Sequence, residues 1–294
     1  MLTSTSKLLQ VAQRNTYAVG AFNIYNLEGI KAVINAAEAE NSPAMLQVHP
    51  SSLGYGGSPL IALCLAAASS AAVPVAVQLD HCSDADEIRS ALDAGIQSVL
   101  ADGSHSPIAE NLAFTTEMTT LAHSQHAGVE AEVGRISGTE DGLAVAEKEA
   151  KMTDPDQARD FVKQAQVDAL AVTIGNVHGK YQGEPKLDFD RLSSIRKAVD
   201  IPLVLHGASG LPAQMIQQSI QLGVCKFNVN TELRQAYLDF WRTDFPSRTK
   251  ADVLDCMEAT TEAMQAVVAE KLRLFGSTGK ASLYEASAET VPTT

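Results

Sequence analysis

The sequence predicts an α/β fold, a (β/α)8 TIM barrel with extra C-terminal helices, on three observations. Short apolar or β-branched runs alternate with longer amphipathic stretches eight times over. Nearly every run ends on a polar residue. No linker or shift in composition divides the 294 residues, a length that suits one such barrel.

The eight expected strands lie at residues 18–22, 44–48, 75–79, 98–101, 129–133, 169–173, 203–205 and 226–229. The amphipathic stretches between them include 27–40, 84–94, 109–123, 156–166, 189–199 and 212–222, each with apolar residues at helical spacing. Ser83 or Asp84 can cap the helix at 84–94, Asp154-Pro155 can open the one at 156–166, and Gly95 and Gly223 can close the helices at 84–94 and 212–222. Two further helices, 231–245 and 251–274, follow the last strand. The chain is expected to be a single barrel domain over residues 1–294, with a frayed tail from about residue 286. The connection from Gly134 to Thr153 is long and holds Gly134, Gly138 and Gly142. Loops of that length in compact domains are commonly lids or binding segments.

Composition narrows the classes of partner. Hydrophobic residues make up 45% and charged residues 19%, as in a soluble globular chain. The net charge is −13 and no basic face is evident, which argues against nucleic acid. An anionic ligand would have to be held by local groups, such as backbone amides or a metal, against that field. The first fourteen residues are polar and lack the apolar core of a signal peptide. The most apolar stretch, 60–77, is rich in Ala and Ser and broken by Pro74. It reads as a buried helix followed by a strand rather than a membrane span. The four cysteines, Cys64, Cys82, Cys225 and Cys256, show no paired spacing. Free thiols in a reducing, cytoplasmic setting are expected, with Cys82 as a small packed residue.

Chemistry in such a barrel gathers at the C-terminal ends of the strands. Those ends read Asn23, His49, Asp80-His81, Asp102, Glu132, His178, His206 and Asn228 to Asn230. A purely structural core would not need a polar residue there on almost every strand. Of seven histidines, His81, His178 and His206 fall where the strands converge. Three imidazoles with an open coordination position suit a catalytic zinc acting as a Lewis acid on a carbonyl. A lone histidine is more often a hydrogen-bonded partner, and His105, His123 and His126 lack this placement. Glycine-rich turns accompany the histidines, at Gly175-Asn176-Val177-His178-Gly179 and His206-Gly207-Ala208-Ser209-Gly210. The loops after the seventh and eighth strands, Gly207 to Ser209 and Asn228 to Thr231, are either a phosphate site or ordinary strand-to-helix turns.

From about residue 8 to residue 281 the chain resembles the class II fructose-bisphosphate aldolase family, which includes tagatose-bisphosphate aldolases. The resemblance is carried, in order, by Ala21-Phe22-Asn23, Leu79-Asp80-His81, Asp102-Gly103-Ser104-His105, Val129-Glu130-Ala131-Glu132-Val133-Gly134, Gly138-Thr139-Glu140-Asp141-Gly142, the two His-Gly turns, Asn228-Val229-Asn230-Thr231-Glu232 and Phe275-Gly276-Ser277. It implies a lyase that reversibly cleaves a ketose phosphate, such as fructose or tagatose 1,6-bisphosphate, to dihydroxyacetone phosphate and an aldehyde. By this resemblance His81, His178 and His206 bind Zn2+, and Asp80 and Glu140 are catalytic. Asp80 would shuttle the proton of the hydroxyl that becomes the aldehyde, and Glu140, on the mobile loop, would take the carbon-bound proton. Asn23, Gly179, Lys180, Gly207, Ala208, Ser209, Asn228, Val229, Asn230 and Thr231 would bind the substrate, mostly at its phosphate. Some members bind a monovalent cation there. Asp102 and Glu132 match a second metal site of some members, or else orient the ligating imidazoles. A homodimer or homotetramer with no membrane partner is expected.

Four departures bear on the substrate. Gln78 stands where the family often has histidine. His49-Pro50 replaces a small hydroxyl or glycine. Asn230 stands where Asp or Ala is common. The stretch Arg248-Thr249-Lys250-Ala251-Asp252 lacks the usual arginine pattern for a distal phosphate. The dihydroxyacetone phosphate half is thus expected to be intact and the aldehyde half altered, so a shorter or unusual aldehyde stays open. So do a zinc metallohydrolase, which the phosphate loops and lid glutamate disfavour, and a non-catalytic companion subunit, against which the retained Asp80, Glu140 and three histidines argue. A class I mechanism needs a Schiff-base lysine. Lys226 is expected at the start of its strand, far from the rim, and Lys180 suits an electrostatic role better.

Overall fold

A computed structural model describes residues 1–140, 143–145, 150–179, 181, 183–248 and 252–285. Eight parallel strands close into a barrel: β1 (Val19–Asn23), β2 (Ala44–Val48), β3 (Val75–Cys82), β4 (Ser98–Ala101), β5 (Gly128–Val133), β8 (Ala169–Val172), β10 (Leu203–Leu205) and β11 (Val224–Val229). Around the ring they run β1-β11-β10-β8-β5-β4-β3-β2. Every successive pair in sequence is a neighbour in space, as right-handed strand–helix–strand units require. The outer helices are α2 (Leu27–Ala39), α3 (Pro50–Ser70), α4 (Ala85–Asp93), α5 (Ile108–Ser124), α6 (Pro155–Ala165), α7 (Phe189–Ala198), α8 (Ala213–Gln221) and α9 (Thr231–Asp239), followed by α10 (Val253–Leu274). The side chain of Asp84 caps α4 and that of Asp154 caps α6, each accepting two backbone N–H groups.

The strands are buried on both faces, which is why they read as nearly continuous apolar runs. Alternation sorts their side chains into two cores. Residues such as Leu46, Val48, Val77, Leu79, Leu170, Val172, Leu203 and Leu205 face outward and pack under the helices. Val19, Ala21, Met45, Ala76, Ala169, Ala171 and Val204 face inward, near the N-terminal end of the barrel. That end is closed by α1 (Thr5–Arg14), whose Leu8, Leu9 and Ala12 join the inner core. A last short helix, α11 (Ser282–Glu285), brings Tyr284 to the same plug, where its hydroxyl bonds that of Tyr17 and donates to Leu8 O at 3.0 Å.

Three features depart from the sequence expectation. The polar segment at the start of the chain forms α1, because its few apolar residues recur at helical spacing and have a barrel mouth to cover. The long connection after β5 is not wholly loop. It contains β6 (Ser137–Glu140) and β7 (Leu143–Val145) in an antiparallel pair, and β6 also pairs in parallel with β9 (Val177–His178). The apolar helix begins at Pro50, earlier than residue 60, and Gly57 (φ 60°, ψ −165°) breaks it. α3 passes for a membrane span by length and composition alone, but the break leaves too few continuous helical residues on either side to cross a bilayer. It packs against β2 and β3. The expected tail from residue 286 lies outside the described residues.

Candidate metal centre and active site

Two layers of polar side chains fill the barrel above its apolar floor, because residues i and i+2 of a strand point to the same side. Gln47, Gln78, Glu130 and Lys226 form a buried polar layer. Two residues further along the same four strands come His49, Asp80, Glu132 and Asn228, at the rim.

Asp80, on β3, is held from three sides. Asn23 donates to one carboxylate oxygen at 2.8 Å, and Gln47 and Asn228 donate to the other at 2.9 and 3.1 Å. Burial pushes its carboxyl up, yet the neighbouring charges of His81, Lys226 and His206, with the Asn23 bond, outweigh that and keep it below the ordinary value. The next residue, His81, sits in the left-handed region (φ 39°), at an irregularity in the β3–β4 register. Left-handed backbone is uncommon outside glycine, and such strain gathers at functional sites. The turn aims the imidazole inward. His81 Nδ1 lies 2.6 Å from Asp102 Oδ2, and Ser104 N donates to the other Asp102 oxygen at 3.0 Å.

His178 and His206 reach the same point from the opposite wall. Asn176 accepts from Ile174 N and donates to His206 O, and Tyr181 donates to Gly207 O while accepting from Val177 N. These bonds tie β9 to the turn after β10. Two glycines make the approach possible. A Cβ on Gly207 (φ 65°) would strike Val177 O, and one on Gly138 (φ 109°) would strike His178 O. His206 is fully buried between two carboxylates, with Nδ1 at 2.9 Å from Glu132 Oε2 and Nε2 at 3.0 Å from Glu130 Oε1.

The three imidazoles converge. Ring centroids are 4.6 Å apart for His81 and His206, 5.3 Å for His81 and His178, and 6.1 Å for His178 and His206. Each offers one ligand atom, and these atoms lie within 4.8 Å of one another. A second group of three, His81, Asp102 and Glu132, meets the same criterion. Burial lowers the affinity of His178 for a proton, and the charges on His81 and His206 lower it further. Burial acts the same way on His81 and His206, but their carboxylate partners prevail and both hold protons more tightly than usual.

The site fits a divalent cation on two counts. His81 Nε2 is buried with no hydrogen-bond partner, an arrangement that is costly unless something binds there. Four buried carboxyl groups, Asp80, Asp102, Glu130 and Glu132, face one buried ammonium, Lys226. A dication is the natural counter-charge to that excess.

The family model for class II fructose-bisphosphate aldolases matches residues 3–280. The chain belongs to that family. It is therefore a lyase, in a family that acts on phosphorylated sugars. A protein from Coccidioides immitis assigned as a fructose-1,6-bisphosphate aldolase has a similar crystal structure, with 35% identity, a TM-score of 0.90 and cover of 95% of this chain and 98% of that one. The YdjI aldolase from Escherichia coli K12 is 34% identical, with a TM-score of 0.86 and cover of 96% and 100%. Fructose-bisphosphate aldolase from Campylobacter jejuni shares the fold at 19% identity and a TM-score of 0.77, over 95% and 97% of the two chains.

The aldolase fold brings together most of the residues singled out in the sequence. Asn23 and Asn228 turn their amides to Asp80. Gly179 (φ 83°) follows His178, and Gly207, Ala208 and Ser209 form the turn after β10. Val229 is buried at the end of β11, Asn230 accepts from the Tyr25 hydroxyl at 2.7 Å, and Thr231 opens α9. The β6 backbone of Glu140 is two residues past the Gly138–His178 pairing. Its side chain, like all of Lys180, lies outside the described residues. His105 and His126 are exposed, His123 pairs with Asp168, and the Cys82 thiol packs near Asp84 and Glu87. Four interior residues of the site are not among the site residues the sequence singles out: Gln47, Gln78, Glu130 and Lys226. Their signal was present as a polar residue two positions before each rim residue in an otherwise apolar strand. Lys226 is not at the start of its strand, since β11 begins at Val224.

Proposed function

We propose that this aldolase is zinc-dependent and reversibly cleaves a ketose 1-phosphate or 1,6-bisphosphate to dihydroxyacetone phosphate and an aldehyde. The convergence of the His81, His178 and His206 ligand atoms within 4.8 Å, beside a triply hydrogen-bonded Asp80, carries the reading. These imidazoles would hold the ion. When bound, zinc supplies a Lewis acid for the charge that develops on the ketone oxygen.

The chain's own groups do the rest. In the cleavage direction Asp80, ionised and aimed by Asn23, Gln47 and Asn228, takes the proton from the hydroxyl that becomes the aldehyde. Its position next to His81 in sequence puts base and Lewis acid on the same substrate carbons. Glu140, carried on β6, handles the carbon-bound proton of the dihydroxyacetone phosphate half. The glycine turn at Gly207 to Ser209 and the N-terminus of α9 at Thr231 follow adjacent strands β10 and β11. They offer backbone N–H groups to one phosphate, with Gly179 beside it; Lys180, expected to join them, lies outside the described residues. Asp102 orients His81 and Glu132 contacts His206, whether or not a second cation binds. His49, buried at the end of β2 with its ring bonded to Ser51 at the start of α3, stands where a small hydroxyl or glycine is expected and favours a departure in the aldehyde half. The exposed apolar residues Trp241, Phe245, Val253 and Leu254 make the C-terminal helices the contact face of a homodimer or homotetramer.

The test is release of dihydroxyacetone phosphate from a panel of ketose phosphates of four to seven carbons, with and without a chelator. Chelator-sensitive release is expected, and the best substrate identifies the aldehyde. Zinc-loaded protein that cleaves none of them overturns the reading, and a single-subunit mass by light scattering overturns the assembly.

A further inference from the structure

Glu130 is one step below Glu132 on the inner face of β5. The reaction proposed above does not use it, yet it is among the most constrained groups in the molecule. Lys226 Nζ lies 2.8 and 3.1 Å from its two oxygens, Gln78 Nε2 donates to it at 3.0 Å, and His206 Nε2 lies 3.0 Å away. Glu130, Lys226, Gln78 and His206 are all fully buried.

The donors around it can point only one way. A carboxylate facing a buried ammonium is ionised, and an ionised carboxylate only accepts. The Gln78 amide cannot flip, because its oxygen already accepts from Gln47 Nε2 at 3.2 Å, whose nitrogen also serves the Asp80 carboxylate. Only an N–H can therefore face Glu130 from His206, and the proton belongs on Nε2. The other nitrogen, Nδ1, faces Glu132, which with His81, Asp102 and His178 lines a small cavity at the rim. His81 is turned the opposite way, with Nδ1 on Asp102 and Nε2 toward the site.

We propose that Glu130, clamped by Lys226 and Gln78, is the positioning residue of His206: it holds the proton on Nε2 and so leaves Nδ1 as the atom presented to the metal. This rests on the metal reading above. A carboxylate behind a ligating imidazole typically changes metal affinity by roughly 10- to 100-fold. Here the carboxylate has an ammonium of its own behind it, so its orientation is independent of the ion.

The test compares the wild type with the double substitution Glu130→Leu/Lys226→Met. It removes both buried charges together, since removing one would strand the other. Zinc content and zinc affinity by chelator competition are measured, with thermal stability on the same samples. In cadmium-loaded protein labelled with nitrogen isotope in histidine, metal–nitrogen couplings identify each ligating atom. The wild type is expected to bind through His206 Nδ1 and His81 Nε2, and the double variant to lose roughly 10- to 100-fold in zinc affinity. Zinc affinity unchanged in the double variant, whatever its melting temperature, overturns the proposal, as does coupling to His206 Nε2 in the wild type. If the double variant does not fold, Gln78→Met removes one clamp at nearly constant volume. A loss of zinc affinity supports the proposal and an unchanged affinity overturns it. A wild-type protein that takes up no zinc overturns the metal reading itself, and this inference with it.

Discussion

Asp80 and His81 are neighbours in sequence with opposite demands, and the backbone reconciles them. Asp80 must face into the barrel to meet Asn23, Gln47 and Asn228. In regular strand geometry its neighbour would face out. The left-handed φ of His81 breaks the alternation, so that both side chains serve one site. An adjacent Asp-His pair after an apolar strand is visible in the sequence, but this reversal is not. Since the hydrogen bonds to Asp80 among the described residues come from three amides and from none of the three histidines, its loss should separate chemistry from metal binding. Asp80→Ala is expected to keep zinc, by elemental analysis, and to lower the rate of cleavage by about 10²- to 10⁴-fold, the usual range for a general acid–base. Turnover near the wild-type rate would remove Asp80 from the mechanism.

At the scale of elements, the important unit is the small sheet of β7, β6 and β9, which lies outside the barrel and bears on its rim. β9 carries His178, and β6 runs beside it with Gly138 against the His178 carbonyl. The segment that bears Glu140 is thus paired to the strand that bears His178, so the proposed lid and the candidate site share a backbone contact. The three glycines of the connection were legible in the sequence as the mark of a candidate lid or binding segment. The pairing was not, because a four-residue strand and a two-residue strand lack the length for a periodic signal. Glu140→Ala should slow exchange of the carbon-bound proton of dihydroxyacetone phosphate with solvent, followed by NMR, while zinc content stays at the wild-type level. Exchange at the normal rate would assign the proton to another group.

For the molecule as a whole, the three histidines come from separate segments: His81 from β3 and His206 from the end of β10 in the barrel, and His178 from β9 in the small sheet outside it. A bound ion would join segments that the barrel alone holds through packing and strand pairing, and it has no such site in the unfolded chain. Zinc at a hundredfold excess over its dissociation constant should stabilise the fold by about 2.7 kcal/mol, raising the melting temperature by on the order of 5 °C. Calorimetry with chelator and with added zinc reads this directly. A melting temperature indifferent to zinc would mean that the three imidazoles do not hold the ion in the native state.

Much was determined by the sequence itself. Eight apolar runs with amphipathic partners specify a parallel barrel, because strands buried on both faces and helices buried on one leave different periodicities in the chain. β2, β4 and β10 fall on their expected residues, and the polar strand ends mark the rim that holds the candidate site, because strand ends converge there in any such barrel. Only the tertiary structure decided what lies beneath that rim. Gln78, Glu130 and Lys226 each look like an isolated polar residue in an apolar strand, a pattern equally open to a strand-edge reading. They come into contact across β3, β5 and β11, which are distant in sequence and joined only when the barrel closes. The reason is physical: periodicity records which face of its own element a residue occupies, whereas its charge and hydrogen-bond partners depend on strands whose order no local pattern encodes.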